Sequence, residues 1–266
     1  VLLVLKYGGN ALAAADGSDP LLDEVAERIA AGDRVVLVHG GGPQIDAALA
    51  EHGILQRRVA GLRVTDGATL AVTESVLCGT LNKALVRALL ARGVRAAGVC
   101  GQDGALLVAH AMAPIDGEEL GFVGEIERVQ PAVLEGLLAA GLTPVVAPLG
   151  VTADGRTALN VNADTSAGAI AGALEADAYV IVTNVERVRL RVDDPASGIG
   201  RIDESEVREH MRDGVFSGGM LPKMKSALDA LARGAKSAII CGSGGGALGR
   251  ALAGEGTTVV REASGR

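Results

Sequence analysis

The chain is nearly devoid of aromatic residues: two phenylalanines, two tyrosines and no tryptophan among 266 residues. Its core must therefore be packed from aliphatic side chains, and a hydrophobic content of 48% supplies them. Cysteine is scarce too. Cys78, Cys100 and Cys241 form no CxxC pair and no metal-ligand spacing, which excludes a disulfide scaffold or a zinc module. The odd count and the lack of a signal-peptide pattern point to the cytoplasm. Only four histidines occur, His39, His52, His110 and His210, too few for a His-rich centre, so no protein-held metal is expected. Positive charge is in deficit, with a net charge of −7. That balance argues against a nucleic-acid or anionic-membrane partner, while leaving room for a locally basic site that takes a small anion. The uncharged stretch from Gly136 to Ala153 is broken by Gly141, Pro144, Pro148 and Gly150, so it does not read as a membrane span.

Several catalytic signatures are also missing. No Gly-Lys pair occurs, so there is no Walker sequence; HExxH and GxSxG are absent as well. Gly242, Gly244 and Ala247 fit GxGxxA after an apolar run, and Glu262 follows near the spacing of a ribose-binding acid. The chain gives out four residues later, without the third strand of a mononucleotide-binding half, so a dinucleotide site is not expected.

What is present is organised around Val35-Val36-Leu37-Val38-His39-Gly40-Gly41-Gly42-Pro43-Gln44. This reads as a buried parallel strand, a tight loop and the first turn of a helix. Three glycines let a ligand press against bare backbone, where N–H groups and the helix dipole favour negative charge. The plainer alternative is a turn that needs positive φ. Upstream, the strand Val1–Leu5 runs into Lys6-Tyr7-Gly8-Gly9-Asn10, and a lysine beside a glycine loop is a candidate phosphate ligand. The segment Ile54–Thr65 reads as a hairpin on the rim of the site. It holds Arg63, which suits bidentate carboxylate binding; the local sequence does not separate that role from a surface arginine. Thr69–Ala91 reads as one long helix and Gly121–Ile126 as another hairpin. Asn160, Asn162 and Asp164 precede an Ala-rich helix, Ser166–Leu174. Asp164 is a natural N-cap, and the two asparagines suit a polar ligand. Lys223 falls near the start of a helix over Met220–Ala232, where like-sign placement against the dipole calls for a nearby anion. Strands and helices alternate throughout, which predicts a mostly parallel α/β sheet with helices on both faces.

Taken in order, Lys6-Tyr7-Gly8-Gly9-Asn10-Ala11, His39-Gly40-Gly41-Gly42-Pro43-Gln44, Gly61-Leu62-Arg63-Val64-Thr65, Gly124-Glu125, Asn160-Val161-Asn162-Ala163-Asp164-Thr165 and Gly219-Met220-Leu221-Pro222-Lys223 resemble the amino acid kinase family. The resemblance spans nearly the whole chain. It implies one domain over 1–266, a three-layer αβα sandwich with a mostly parallel central sheet. Residues 1–176 would form the amino-acid-substrate half and 177–266 the ATP-binding half. The branch it points to uses ATP to phosphorylate the γ-carboxylate of N-acetyl-L-glutamate in arginine biosynthesis. Alternatives on the same fold are a kinase of acetylaminoadipate or of a carrier-linked amino acid in lysine synthesis, and a non-catalytic sensor.

The resemblance also distributes roles. Lys6 and Lys223 would stabilise the transferring phosphoryl group, with Asp164 holding both. Gly9, Gly41 and Gly42 would offer backbone N–H groups to phosphoryl and substrate oxygens. Arg63 would clamp the α-carboxylate and Asn160 would bind the substrate. Gly8, Gly9, Asn184, Val185, Ser217, Gly219 and Met220 would hold ATP, with Mg2+ expected on the nucleotide. Two departures stand out. Asn184 and Arg187 occupy positions where the family usually has Asp and Gly; Arg187 either reaches phosphate or is an exposed substitution, the second being favoured. The first strand also begins at residue 1, whereas arginine-inhibited hexameric members carry a helix before it, which implies a homodimer without that control.

Overall fold

The structure is a computed structural model describing residues 1–8, 18–191 and 193–262. In chain order the strands are β1 Leu2–Tyr7, β2 Arg34–His39, β3 Arg58–Val59, β4 Leu62–Arg63, β5 Ala96–Cys100, β6 Leu107–Ala111, β7 Gly124–Val129, β8 Thr143–Ala147, β9 Leu149–Val151, β10 Ala158–Asn160, β11 Ala178–Val182, β12 Arg201–Asp203, β13 Ala238–Cys241 and β14 Thr257–Val260. The helices are α1 Pro20–Ala30, α2 Gly42–Glu51, α3 Gly67–Glu74, α4 Asn82–Leu90, α5 Ala132–Ala139, α6 Ala163–Ala173, α7 Glu204–Arg212, α8 Met220–Arg233 and α9 Ala247–Leu252. The result is an α/β fold whose central sheet is mostly parallel. None of the described helices is long and apolar enough to cross a membrane.

Contacts divide the chain into two units. The first holds the described residues of Val1–Lys6, Ala14–Val35 and Ala167–Arg266. Its strands run in the order β12-β14-β13-β11-β1, parallel except for the β13–β14 pair. Every residue of β1, β11 and β13 is buried, as expected for strands covered on both faces. Helix α9 packs on β13 and against α1, while α8 packs on β11, β13 and β14. Asp19 caps α1 by accepting from the amides of Leu21 and Leu22.

The second unit holds the described residues of Tyr7–Ala13 and Val36–Ser166. It contains the parallel order β2-β8-β5, a four-stranded sheet β10-β9-β6-β7, and the short β3–β4 hairpin turning at Ala60 and Gly61, both at positive φ. The stretch around Gly121–Ile126 is not a hairpin of its own; it leads into β7, which pairs antiparallel with β6.

The continuous helix expected over Thr69–Ala91 is interrupted. After α3 comes a π-helical turn, Ser75–Leu81, before α4 begins at Asn82. The wider turn directs Leu77 and Leu81 into a cluster with Ile45, Leu49, Ala147 and Leu149. An apolar periodicity count registers a helix there but cannot register the extra residue.

Candidate active site

In the second unit, β2 carries its chain into the glycine corner. The Gly40 amide donates to the Tyr7 carbonyl at 3.0 Å, so the corner starts from a fixed point. Gly41 has φ 177°, extended backbone open to any residue. A Cβ there would nevertheless lie 2.4 Å from Leu81 Cδ1 and 2.7 Å from Leu77 Cδ2, so both leucine tips would have to shift to admit one. What favours glycine here is close packing rather than positive φ. Gly42 then opens α2, whose first turn has no side-chain cap, leaving amides available to an anion.

Arg63, on β4, is buried beside this corner, with its side chain 5% exposed. One of its terminal nitrogens donates to Gln56 Oε1 at 2.9 Å and the other to the Gly42 carbonyl at 3.3 Å. Asp46 on α2 forms an ion pair with it and also with Arg58. A surface role for Arg63 is thereby excluded. Thr65, fully buried, donates its hydroxyl to the Arg63 carbonyl at 2.8 Å and accepts from Asn160 Nδ2 at 3.1 Å. Gly42, Arg63, Thr65 and Asn160 are thus joined by successive hydrogen bonds across residues far apart in sequence. Thr65 sits in a motif visible in the sequence, but its bridging role is a property of the fold.

A second network was not legible in the sequence. His39 has no exposed surface, its Nδ1 is 3.0 Å from the Gly40 carbonyl, and its Nε2 is 3.3 Å from Asn82 Nδ2. Burial pushes the imidazole pKa down from 6.5 to about 4, against a smaller opposing effect of the Gly40 hydrogen bond. His39 is therefore neutral at physiological pH.

Ahead of α6, the capping residue is Asn162 rather than Asp164. Asn162 Oδ1 accepts from the amides of Asp164 at 2.9 Å and Thr165 at 3.1 Å, and the helix starts at Ala163 rather than Ser166. The cap is thus supplied by Asn162, while Asp164 lies buried in the first turn of the helix.

In the first unit, Lys6 lies near the C-terminal end of β1, in register with Ile181 of the parallel β11, and is 9% exposed. Strand β11 leads to the exposed Asn184 and half-buried Val185. Ligands of open α/β sheets collect at such C-terminal strand ends. Exposed Ser217 and Gly219 precede α8. Met220 is its first residue, and Lys223 stands half-buried one turn in; no side chain caps this helix start. Gly8 is described and half-buried, while Gly9 lies outside the described residues.

Arg187 donates Nε to the Glu255 carbonyl at 2.5 Å, which ties its loop to the turn before β14. Together with Glu186, Arg250 and Glu255 it borders a cavity of about 420 Å³. The GxGxxA stretch leads from β13 through α9 to β14, and β13 and β14 are antiparallel. A dinucleotide fingerprint needs a parallel βαβ unit, so this one is a coincidence of spacing. Among the described residues no group of three His, Cys, Asp or Glu side chains could hold a metal ion.

The amino acid kinase family profile matches residues 1–242. The chain belongs to the amino acid kinase family. It is 45% identical over 240 residues to the acetylglutamate kinase of Methanopyrus kandleri, covering 89% of this chain and 93% of that one. It is 41% identical to the acetylglutamate kinase of Moorella thermoacetica, over 88% of this chain and 81% of that one. Carbamate kinase from Giardia lamblia shares the fold, with a TM-score of 0.68 at 17% identity and 98% of each chain covered.

Proposed function

We propose that this amino acid kinase transfers the γ-phosphoryl group of ATP to the γ-carboxylate of N-acetyl-L-glutamate, an arginine-biosynthetic step. A carboxylate oxygen attacks the γ-phosphorus, the bond to the β–γ bridging oxygen breaks, and ADP leaves with the electron pair. The product is an acyl phosphate. No general base is required, because a carboxyl group with a reference pKa of about 4.3 is already ionised at neutral pH. What remains for the protein is positioning and charge neutralisation.

The observation that carries this reading is Arg63, a buried guanidinium hydrogen-bonded to the residue that opens an uncapped helix. A fork of donors beside an anion-binding helix start suits a substrate with two carboxylates, one clamped and one reacting. In this reading Arg63 and Asn160 hold the acceptor, and the Gly41 and Gly42 amides meet the reacting oxygens. Lys6 and Lys223 neutralise the phosphoryl group, and Asp164 orients the lysines. Gly8, Gly9, Asn184, Val185, Ser217, Gly219 and Met220 serve ATP, with Mg2+ on the phosphate oxygens, where that ion retains much of its water. Residues 1–176 and 177–266 are the approximate acceptor and nucleotide halves of one domain. A cytoplasmic homodimer completes the reading, and sedimentation velocity measures the assembly.

The test is hydroxylamine trapping during turnover, since an acyl phosphate reacts with hydroxylamine to a hydroxamate, releasing phosphate, and the hydroxamate gives a coloured complex with added ferric iron. Hydroxamate formed in step with ADP, and only with N-acetylglutamate present, is the expected result. ADP release without hydroxamate would contradict the transfer.

A further inference from the structure

His39 places a polar ring in the wholly buried end of β2, where an aliphatic residue would pack as well. Its surroundings fix its protonation. The Lys83 ammonium, a donor only, is 3.1 Å from Asn82 Oδ1 and 3.0 Å from the Gly98 carbonyl. The other end of the Asn82 amide reaches the carbonyls of Val145 at 2.9 Å and Val99 at 3.2 Å. Both facts identify that end as the NH2 group, whose two hydrogens are shared among these carbonyls and His39 Nε2; its nitrogen cannot accept, so the Nε2 facing it carries no proton. The opposite ring nitrogen faces the Gly40 carbonyl, an acceptor, and must carry the proton. The space for this arrangement is kept by Gly98, where a Cβ would lie 1.9 Å from Asn82 Oδ1.

The Gly40 carbonyl and the Gly41 amide belong to one planar peptide group. Holding the oxygen therefore sets the direction of the N–H. Glycines on both sides of that bond leave it little intrinsic restraint, so an unanchored plane would rotate readily. We infer that His39 is a positioning residue: fixed as the Nδ1–H tautomer by Asn82 and Lys83, it holds the Gly40–Gly41 peptide so that the Gly41 N–H points at the reacting oxygens. The inference rests on the proposed role of the Gly41 amide. Neutralisation of the ring by burial agrees with it, because a neutral imidazole can accept at one nitrogen while donating at the other.

The test compares His39→Asn with His39→Gln. An Asn amide can place an N–H where Nδ1 stood, whereas the longer Gln side chain extends toward the Nε2 position and abandons Gly40. His39→Gln should lower kcat at least about tenfold with both KM values within about threefold, the pattern of a contact that matters only in the transition state. His39→Asn should recover most of that loss. In the wild-type protein, 15N NMR of labelled histidine, assigned by the signal lost in His39→Asn, should show Nδ1 protonated and Nε2 bare at pH 7. A proton on Nε2, a charged ring, or an active wild type with both variants at its kcat would overturn the inference alone. A wild type that releases no ADP with N-acetylglutamate would overturn the functional reading and this inference with it.

Discussion

Replacing Arg63 by lysine probes the acceptor site while keeping its charge. A guanidinium offers five N–H donors. Three of them serve Gln56, Gly42 and Asp46 here, and the others are those a ligand carboxylate would take. Lysine can keep the ion pair with Asp46, but its single ammonium cannot also span Gln56, Gly42 and a ligand in the directions the fork provides. Asp46 retains Arg58 at 3.2 Å, so it is not left as an isolated charge and the fold should survive. The expected loss is one charge-assisted hydrogen bond in a buried site, about 1.5–3 kcal/mol, or roughly ten- to a hundredfold. If Arg63 grips the α-carboxylate equally in the ground and transition states, this loss falls on the KM for N-acetylglutamate, with kcat much less affected. The KM for ATP should barely change. Steady-state kinetics by coupled ADP release, varying each substrate in turn, measures all three quantities. A selective rise in the ATP KM, or an unchanged acceptor KM, would refute the assignment.

Lys223→Ala should lower kcat by at least about a hundredfold, the scale of losing one preorganised charge-stabilising donor, with the melting temperature nearly unchanged; near-normal turnover would remove Lys223 from the phosphoryl site. His39 should make the fold acid-sensitive. Its folded pKa of about 4 lies below the unfolded value of 6.5, so from pH 6.5 downward the unfolded chain takes a proton that the native protein refuses, and about 3 kcal/mol of stability is lost by pH 4. Urea unfolding between pH 4 and 7 should show that slope in the wild type and a shallower one in His39→Asn; equal slopes would contradict the burial effect. Asn162→Ala should remove the α6 cap at about 1 kcal/mol, lowering the melting temperature by roughly 2–4 °C. Calorimetry checks this, and a larger effect from Asp164→Ala on melting than from Asn162→Ala would reverse the two assignments.

How much was legible follows from the kind of signal. Apolar runs and helical spacing located β1, β2 and α8 to within a residue or two, because burial on a strand or along one helix face imprints a period on the sequence. The π turn at Ser75–Leu81 was not visible, since an inserted residue leaves the apolar count almost unchanged. Within the site, glycines and charges at element ends were readable one motif at a time. Their connections were not. Nothing local in the sequence indicates that Thr65 bridges Arg63 to Asn160, or that Asn82 reaches His39 across forty-three positions. The choice between Asn162 and Asp164 as cap was likewise undecidable in one dimension, because both residues cap well and only the helix start at Ala163 selects between them.

The assignment of N-acetyl-L-glutamate as acceptor is tested most directly by kcat/KM for it against N-acetyl-L-2-aminoadipate, one methylene longer, in the same ADP-release assay. A pocket that distinguishes one methylene is expected to separate them by about ten- to two-hundredfold. N-acetyl-L-glutamate should be preferred by at least the lower figure. A preference for the longer acceptor, or turnover with neither, would contradict it.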